Sequence, residues 1–317
     1  MKSSYKIGWM IALGLSANCF SLMTTSGEDS QNFTFDTARQ AAVSGDPRAE
    51  YALAQYYANG KGVTQDYSKA TEFMRESAGQ GYAPAQTALG SFYAHGLGVP
   101  QDISEALQWY HKAAAQGDAL AEYCLGYACA HGDGAPMDMA QAVKWWQQSA
   151  DQGQVYAQNA LGQFYFRGKG QDDTNINYKL AAKWLRKASE QDYVGAMNNL
   201  AFLYQHGLGV GRDWQEATKW YRRAADRGDA MAQANLGIMY ESGDGVPMDK
   251  VEAYKWFSLS AEQGNVEGKH SYMEYNQGHY LTPDQFAQAE LMVAEFHARE
   301  KTNQAGEARN TKVESGN

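Results

Sequence analysis

A Gly-x-Gly step recurs six times along this chain at a nearly constant spacing. The first glycines of the steps are Gly60, Gly96, Gly132, Gly168, Gly207 and Gly243. They are separated by 36, 36, 36, 39 and 36 residues. A period of this length predicts a tandem array in which each repeat packs on its neighbours. The length of 317 residues therefore does not indicate a number of domains, because an array grows by adding repeats.

The stretch 83–118 contains the signals for the first of two helices. Ala85, Leu89 and Phe92 fall at positions i, i+4 and i+7, which share one face of an α-helix. Gly96 predicts the end of this helix, because glycine adopts a left-handed conformation without steric cost. The same arrangement in every copy predicts a first helix that ends at the Gly-x-Gly turn.

The second helix of each copy begins with a capping signal and carries a stripe of large and small residues. Asp102 predicts an N-cap, and Glu105 predicts the reciprocal half of a capping box. The stripe occupies positions i, i+3, i+4, i+7 and i+8, so that a neighbouring helix can approach over the small residues and pack against the aromatic ones. The six stripes read AFMSA, AWYAA, AWWSA, AWLAS, AWYAA and AWFSA, starting at Ala70, Ala106, Ala142, Ala181, Ala217 and Ala253.

This combination resembles the Sel-one-like repeat family, a relative of the tetratricopeptide repeats. The family pattern (Ala, Leu-Gly, Tyr, Gly-x-Gly-Val, Asp, Ala, Trp-Tyr, Ala-Ala, Gly) covers residues 46–265. The resemblance implies an all-α fold, a right-handed α/α superhelix (solenoid) of six tandem helix-turn-helix repeats with N- and C-terminal capping helices. It also implies a scaffold for protein interactions. The repeats are predicted at 46–82, 83–118, 119–154, 155–193, 194–229 and 230–265.

Both ends of the chain predict segments outside the array. Residues 1–26 are typical of a secretory signal peptide, with two early lysines before a short apolar core. Export would place the protein in the periplasm or outside the cell; an uncleaved anchor and a lipid on Cys19 are the alternatives. The remaining segments are a lead-in and capping helix at 27–45, a half-repeat and capping helix at 266–300, and a disordered tail at 301–317.

Charge and motifs point away from nucleic acid and from catalysis. The net charge of −9 lacks the basic excess that nucleic-acid binding requires. No Gly-x-Ser-x-Gly, His-Glu-x-x-His or Cys-x-x-Cys motif occurs, so we predict no enzyme activity, no cofactor and no metal. His95, His131 and His206 precede the turn glycines, but repeats about 10 Å apart cannot share metal ligands. A calcium site at Asp172 and Asp173, in the three-residue insertion of the fourth repeat, is the alternative to a solvated loop.

The two cysteines of the array are predicted to remain unpaired with each other. Cys124 and Cys129 are five residues apart on one helix, so their side chains diverge by roughly 140°. Cys129 replaces the tyrosine that the other five copies carry at the same position. We expect a buried, inert thiol there, with a redox role as the alternative.

The first helix of each repeat is the candidate binding surface, because in tetratricopeptide arrays these helices line a concave groove. Relative to the leucine of each repeat, the outward positions are two before, two after, and five or six after. In the middle copies they hold aromatic residues, amides and one arginine, as interface hot spots do. The predicted partner-binding residues are Tyr123, Tyr127, Asn159, Gln163, Phe166, Arg167, Asn198 and Phe202. The alternative is that these side chains only shield the helices.

Within this groove each residue type has a predicted role. Asn159 and Asn198 would hold the backbone of an extended peptide, Tyr127 and Phe202 would pack its side chains, and Arg167 would meet a carboxylate. The predicted function is a monomeric scaffold or adaptor of the bacterial envelope that binds a protein or peptide. The alternatives are a secreted host-interaction factor, a glycan-binding module, and a cell-wall or β-lactam enzyme, for which the chain lacks a nucleophile with a base.

Overall fold

The computed structural model describes residues 33–168, 176–278 and 280–314, and these ranges contain helices and no strand. The helices are short and nearly uniform in length apart from the last. In chain order they are α1 Phe35–Val43, α2 Pro47–Asn59, α3 Tyr67–Gly79, α4 Ala83–His95, α5 Ile103–Ala114, α6 Ala119–His131, α7 Met139–Asp151, α8 Val155–Arg167, α9 Tyr178–Glu190, α10 Val194–His206, α11 Trp214–Ala225, α12 Ala230–Ser242, α13 Lys250–Glu262, α14 Val266–Gly278 and α15 Pro283–Glu314.

The helices pair within each repeat, and within each part of the array consecutive pairs pack on one another, which is the α-solenoid arrangement that the sequence predicts. The contacts divide the chain into two compact units, Met1–Gln154 and Val155–Asn317. In chain order, the first unit contains α1 followed by three helix pairs, and the second contains three helix pairs followed by α14 and α15. Each unit has its own apolar core, in which the alanine that begins each stripe is almost completely buried.

A recurring backbone hydrogen bond closes the turn between the two helices of a repeat. The N–H of each N-cap residue donates to the carbonyl at the repeat's tyrosine position, as in Asp102 to Tyr93 at 2.9 Å and Asp213 to Tyr204 at 3.0 Å. The third repeat forms the same bond to Cys129 at 2.8 Å. Because the contact uses the main chain, the turn tolerates the cysteine.

The predicted N-caps are confirmed, but the predicted capping box at Asp102 is wrong. Asp102 Oδ1 accepts the backbone N–H of Glu105 at 3.0 Å. The Glu105 carboxylate does not return this bond, because the backbone N–H of Asp102 is already bonded in the turn. Glu105 Oε1 instead accepts from Trp109 Nε1 at 3.0 Å, one turn further along α5. The carboxylate therefore satisfies the indole of the stripe.

Small residues allow close helix contact, as the stripe predicts. A Cβ on Gly126 would lie 2.4 Å from Trp146 Cδ1, which is closer than any real contact. The second turn glycine has a role between repeats: a Cβ on Gly98 would lie 2.2 Å from the carbonyl oxygen of Tyr67, the first residue of α3. Thr71 Oγ1 contacts the same place, donating to Tyr67 O at 2.8 Å and lying 3.1 Å from Leu97 O. The Gly-x-Gly turn of one repeat thus packs directly on the second helix of the repeat before it.

Helices cover both ends of the array, as predicted for capping elements. At the N-terminal end, Ala38 of α1 is buried against Leu53, and Tyr56 Oη donates to Phe33 O at 2.8 Å. At the C-terminal end, α15 buries the face that carries Ala289, Val293 and Phe296 in the core of the second unit. The predicted signal peptide at 1–26 lies outside the described residues, as does the insertion in the fourth repeat apart from Ile176.

The predicted disordered tail is wrong for residues 301–314, because α15 continues to Glu314. This segment has too few apolar residues to build a core. A shortage of apolar residues does not by itself exclude a helix. The segment contains no proline, and half of its residues are Ala, Glu, Lys or Arg, so it can extend a helix that the capping contacts have already nucleated. Residues 315–317 lie outside the described part.

Candidate protein-binding surface

The predicted partner-binding residues belong to two different units. Tyr123 and Tyr127 lie on α6 in the first unit, whereas the other six residues lie on α8 and α10 in the second. On α8, Asn159, Gln163 and Phe166 fall at i, i+4 and i+7, which places them on one face of the helix. The surface is therefore considered separately in each unit.

An aromatic pair connects α8 and α10 in the second unit. The rings of Phe166 and Phe202 meet edge to face, with centroids 5.7 Å apart and an interplanar angle of 83°. Phe202 also stacks on His206, with centroids 4.0 Å apart. Both phenylalanines are half-buried and His206 is exposed, so part of this aromatic surface is open to a partner. The arrangement can accept an apolar side chain against the rings.

The two predicted asparagines differ in which of their hydrogen-bonding groups remain available to a partner. Asn159 and Asn198 are both 8% exposed. Asn198 Oδ1 accepts from Asn235 at 3.1 Å, and its Nδ2 lies 3.4 Å from Met231 Sδ, so both ends of this amide contact α12. Asn159 Oδ1 accepts weakly from Gln163 at 3.4 Å, whereas its Nδ2 has no partner within the described residues. Asn159 is thus the amide with a donor to spare, and Asn198 joins two repeats.

Arg167 is an exposed cation at the end of α8. It forms no ion pair within the described residues. A positive charge at this position is favourable because it lies at the negative end of the helix dipole. Its guanidinium can bind a carboxylate through two parallel hydrogen bonds.

In the first unit the two predicted tyrosines are unequal. Tyr123 is 6% exposed and belongs mainly to the core, whereas Tyr127 is half-buried. Tyr127 stacks on His131 with centroids 3.8 Å apart, which repeats the arrangement of Phe202 and His206 in the second unit. The recurring feature is an aromatic residue two positions after the leucine with an imidazole four residues further on.

The three recurrent histidines share a structural task at the end of their helices. Nδ1 of His95, His131 and His206 lies 2.6, 2.9 and 3.0 Å from the carbonyl oxygen four residues before it. A carbonyl only accepts, so Nδ1 carries the proton in each ring. Each imidazole therefore donates back to the carbonyl one turn before it, at the C-terminal end of its helix. No group of three or more His, Cys, Asp or Glu residues suited to a metal occurs in the described part of the chain.

The cysteines offer little redox chemistry in this fold. Cys124 is buried and Cys129 is half-buried, and neither forms a disulfide within the described residues, as their spacing on α6 predicts. Burial, together with the nearby negative charge of Asp138, raises the pKa of Cys129. A raised pKa reduces the thiolate that nucleophilic and redox reactions require.

A depression in the first unit was not predicted from the sequence. It has a volume of about 210 Å³, and its lining includes Tyr51, Thr87 and Asp118. Tyr51 and Thr87 occupy the position two before the repeat leucine, which is the position of Asn159 and Asn198 in the second unit. Asp118 Oδ1 accepts from Thr87 at 2.9 Å and from the N–H of Ala121 at 2.8 Å, and burial raises the pKa of Asp118. In the sequence, Asp118 indicates only the N-cap of α6. The small side chain of Thr87 is therefore the one sequence feature that indicates the depression.

Comparisons with known proteins agree with this architecture. Six segments match the Sel1 repeat, at residues 47–82, 83–118, 119–154, 155–193, 194–229 and 230–265. A search among curated proteins gives no match. None of the helices in the described residues combines the length and apolar character needed to cross a membrane.

Two solved structures are similar in both sequence and fold. One is a protective antigen present in uropathogenic Escherichia coli strains, which displays an SLR fold; it shares 36% identity with a TM-score of 0.71, over 83% of this chain and 56% of the antigen. This chain therefore spans little more than half the length of that protein. The other is a Sel1 repeat protein from Oxalobacter formigenes, with 30% identity and a TM-score of 0.64, over 70% of this chain and 90% of that one. The six matched segments and these likenesses place the chain in the Sel1 repeat family.

Proposed function

We propose that this chain is a non-enzymatic, monomeric scaffold of the bacterial envelope that binds a protein or peptide along the first helices of its repeats. Sel1 repeat proteins are generally protein-interaction scaffolds. The observation that carries the proposal is the half-buried pair Phe166 and Phe202, next to the exposed Arg167, which has no ion-pair partner among the described residues. Aromatic residues and arginine dominate the energetics of protein interfaces because they combine large contact area with directional hydrogen bonding.

Each residue of this surface has a different role in binding a peptide. The aromatic pair packs an apolar side chain, and Arg167 binds a carboxylate one or two residues away along the peptide. Asn159 donates its spare N–H to a main-chain carbonyl. Asn198 has a positioning role, since its contacts to Asn235 and Met231 fix the distance between α10 and α12. In the first unit, Tyr127 and the depression beside Thr87 are a separate and smaller candidate surface.

Site-specific photocrosslinking in the native cell tests this proposal. A photoreactive amino acid at Gln163, between Asn159 and Arg167 on α8, should give a defined adduct with an envelope protein. The same amino acid at Gln108, an exposed position on the second helix α5, is the control and should not give that adduct. Phe202→Ala combined with Arg167→Glu should abolish the adduct while far-ultraviolet circular dichroism stays unchanged. An identical adduct from both positions, or one that survives the double substitution, contradicts the proposed surface.

Export and location are tested independently of the surface. We expect the mature chain in the periplasmic fraction with its N-terminus after a cleavage within residues 17–26. An N-terminus at residue 1 in the cytoplasm contradicts the envelope assignment and leaves the binding surface in place. Failure to trap a labelled penicillin is expected, and covalent labelling would instead support an enzyme.

A secreted host-interaction factor is the second candidate. The observation that favours it is the similarity to the protective antigen of uropathogenic Escherichia coli. Because the chain spans 56% of that antigen, any shared role is itself a proposal. Antibodies against the folded chain should label intact cells or the culture medium if this candidate is right, and only permeabilised cells if the periplasmic scaffold is right.

A further inference from the structure

A cluster of cations lies on the second helices of the fourth and fifth repeats, in a chain whose net charge is −9. Helices α9 and α11 together carry seven Lys and Arg residues and two carboxylates. Six of these cations occupy three pairs of equivalent repeat positions, each pair separated by 36 residues. This cation array consists of Lys183, Arg186 and Lys187 on α9 and Lys219, Arg222 and Arg223 on α11.

Most of the array is not neutralised by the protein itself. Arg223 pairs with Asp192 at 2.6 Å, and Lys219 pairs with Glu216 at 3.0 Å. The other four cations, two of them on exposed lysines, have no carboxylate within ion-pair distance among the described residues. Like charges four residues apart on one helix destabilise it, as with Lys183 and Lys187. These cations lower the stability of the helix and reduce the magnitude of the net charge. A role in keeping the protein soluble therefore does not explain why they are there.

Aromatic groups hold the cations in place at the surface. Lys183 Nζ and Lys187 Nζ lie 4.5 and 4.8 Å from the centroid of the Trp184 ring. Arg186 donates to Tyr204 Oη at 2.5 Å, and Arg222 makes the same bond to Tyr240 Oη. The array is therefore an ordered set of positive charges at positions set by the repeat.

We propose that the cation array is a docking surface for an acidic segment of a partner protein. Cations four residues apart on α9 are spaced by about 6 Å along its axis. Carboxylates at alternate positions of an extended peptide are about 7 Å apart, so a run of them matches the array. The arginines add bidentate recognition of carboxylates. This surface lies on helices other than those of the proposed groove and does not depend on it.

Two other anionic partners fit the array less well. A membrane surface is disfavoured because the rings beneath the cations are buried, with Trp184 1% and Trp220 7% exposed, so the array has no apolar side chain to insert. A long polyanion such as nucleic acid would also meet Asp192 and Glu216 within the array and the negative charge of the rest of the chain. A short acidic segment contacts the array alone.

The equivalent positions of the first unit supply a matched control. Arg75 and Lys112 occupy the positions of Arg186 and Lys187 in the first and second repeats, and neither belongs to a comparable cluster. Lys183→Glu with Lys187→Glu changes the net charge by the same amount as Arg75→Glu with Lys112→Glu. Any difference between the two variants therefore reports the location of the charge.

The test measures binding of a fluorescein-labelled peptide of six Glu-Thr dipeptides to the full chain by fluorescence anisotropy. At about 50 mM salt, where screening is weak, we expect the array variant to lose about tenfold in affinity and the control variant less than about twofold. Equal losses in both variants, or no binding by the unsubstituted chain, overturn the proposal. Vesicles of equal parts phosphatidylglycerol and phosphatidylcholine are titrated in parallel; binding to vesicles that is lost in the array variant, without binding to the peptide, overturns it in favour of a membrane surface.

Discussion

Substitution of Gly98 by alanine tests how the repeats are joined. Gly98 has a φ of 67°, and Gly62, its equivalent in the first repeat, has a φ of 72°. Alanine at either position incurs about 1–2 kcal/mol for a left-handed conformation. The unfolded chain loses the same backbone freedom in both variants, so this contribution cancels between them. The two glycines differ only in what surrounds them.

The surroundings decide the expected difference. A Cβ at position 98 would lie 2.2 Å from Tyr67 O, whereas a Cβ at position 62 would meet nothing within 4 Å. The turn must therefore move away from α3 in the Gly98→Ala variant, which also disturbs the Thr71 contact to Leu97 O at 3.1 Å. Overpacking of this kind costs about 1–3 kcal/mol. We expect Gly98→Ala to lower the free energy of unfolding by that much more than Gly62→Ala.

Urea unfolding of the full chain, followed by far-ultraviolet circular dichroism, measures both variants. Because stability in a repeat array is a sum over repeats and their interfaces, the loss at Gly98 should appear as an early transition or a lowered midpoint. Hydrogen exchange should locate the loss between the first and second repeats. Equal destabilisation by the two substitutions would refute the packing argument and leave backbone conformation as the sole reason for the second turn glycine.

Two further substitutions test buried polar groups. Glu122 accepts from Gln152 at 2.8 Å, and burial raises its pKa, so its stabilising contribution is present in acid and is lost as pH rises through its folded pKa. Glu122→Gln should therefore raise the urea midpoint at neutral pH relative to the unsubstituted chain, and this difference should close in acid. Ser149 Oγ donates to a carbonyl at 2.5 Å, so Ser149→Ala should lower the free energy of unfolding by about 0.5–1.5 kcal/mol. Ser189 Oγ is buried without a partner in the described residues, so Ser189→Ala should be neutral or stabilising, and a loss equal to that of Ser149→Ala would contradict this reasoning.

The fold could be predicted because its signals are local and are repeated six times. Gly96 ends α4 in a left-handed conformation, and Asp102 caps α5 through its side chain, both as expected from adjacent residues alone. The prediction of a capping box failed at Glu105 because the backbone N–H of Asp102 donates to Tyr93 O, a bond that exists only once the turn is formed. The prediction of a disordered tail failed at 301–314 for a different reason. A low content of apolar residues indicates that a segment builds no core, but it does not exclude a helix.

The candidate surface could be predicted only in part, because its contacts cross from one repeat to the next. The spacing rule correctly puts Asn159 and Phe166 on one face of α8. It cannot show that Asn198 is bonded to Asn235, 37 residues further along the chain, or that Tyr123 is buried. Such contacts depend on the offset between stacked helices, which a single repeat does not encode.

In a repeat protein, a departure from the consensus indicates function only when the structure leaves the side chain without a task inside the array. Asn198 occupies a position that varies among the repeats, yet both ends of its amide contact the next repeat, so its substitution would alter stacking before it altered binding. Arg167 also departs from it, and its charge has no ion-pair partner in the described residues. Lys183 and Lys187 on the second helix also have no ion-pair partner in the described residues, although both contact the ring of Trp184. The substitutions that separate binding from stability in this chain are therefore those of the unpaired cations, because their removal leaves no buried group unsatisfied.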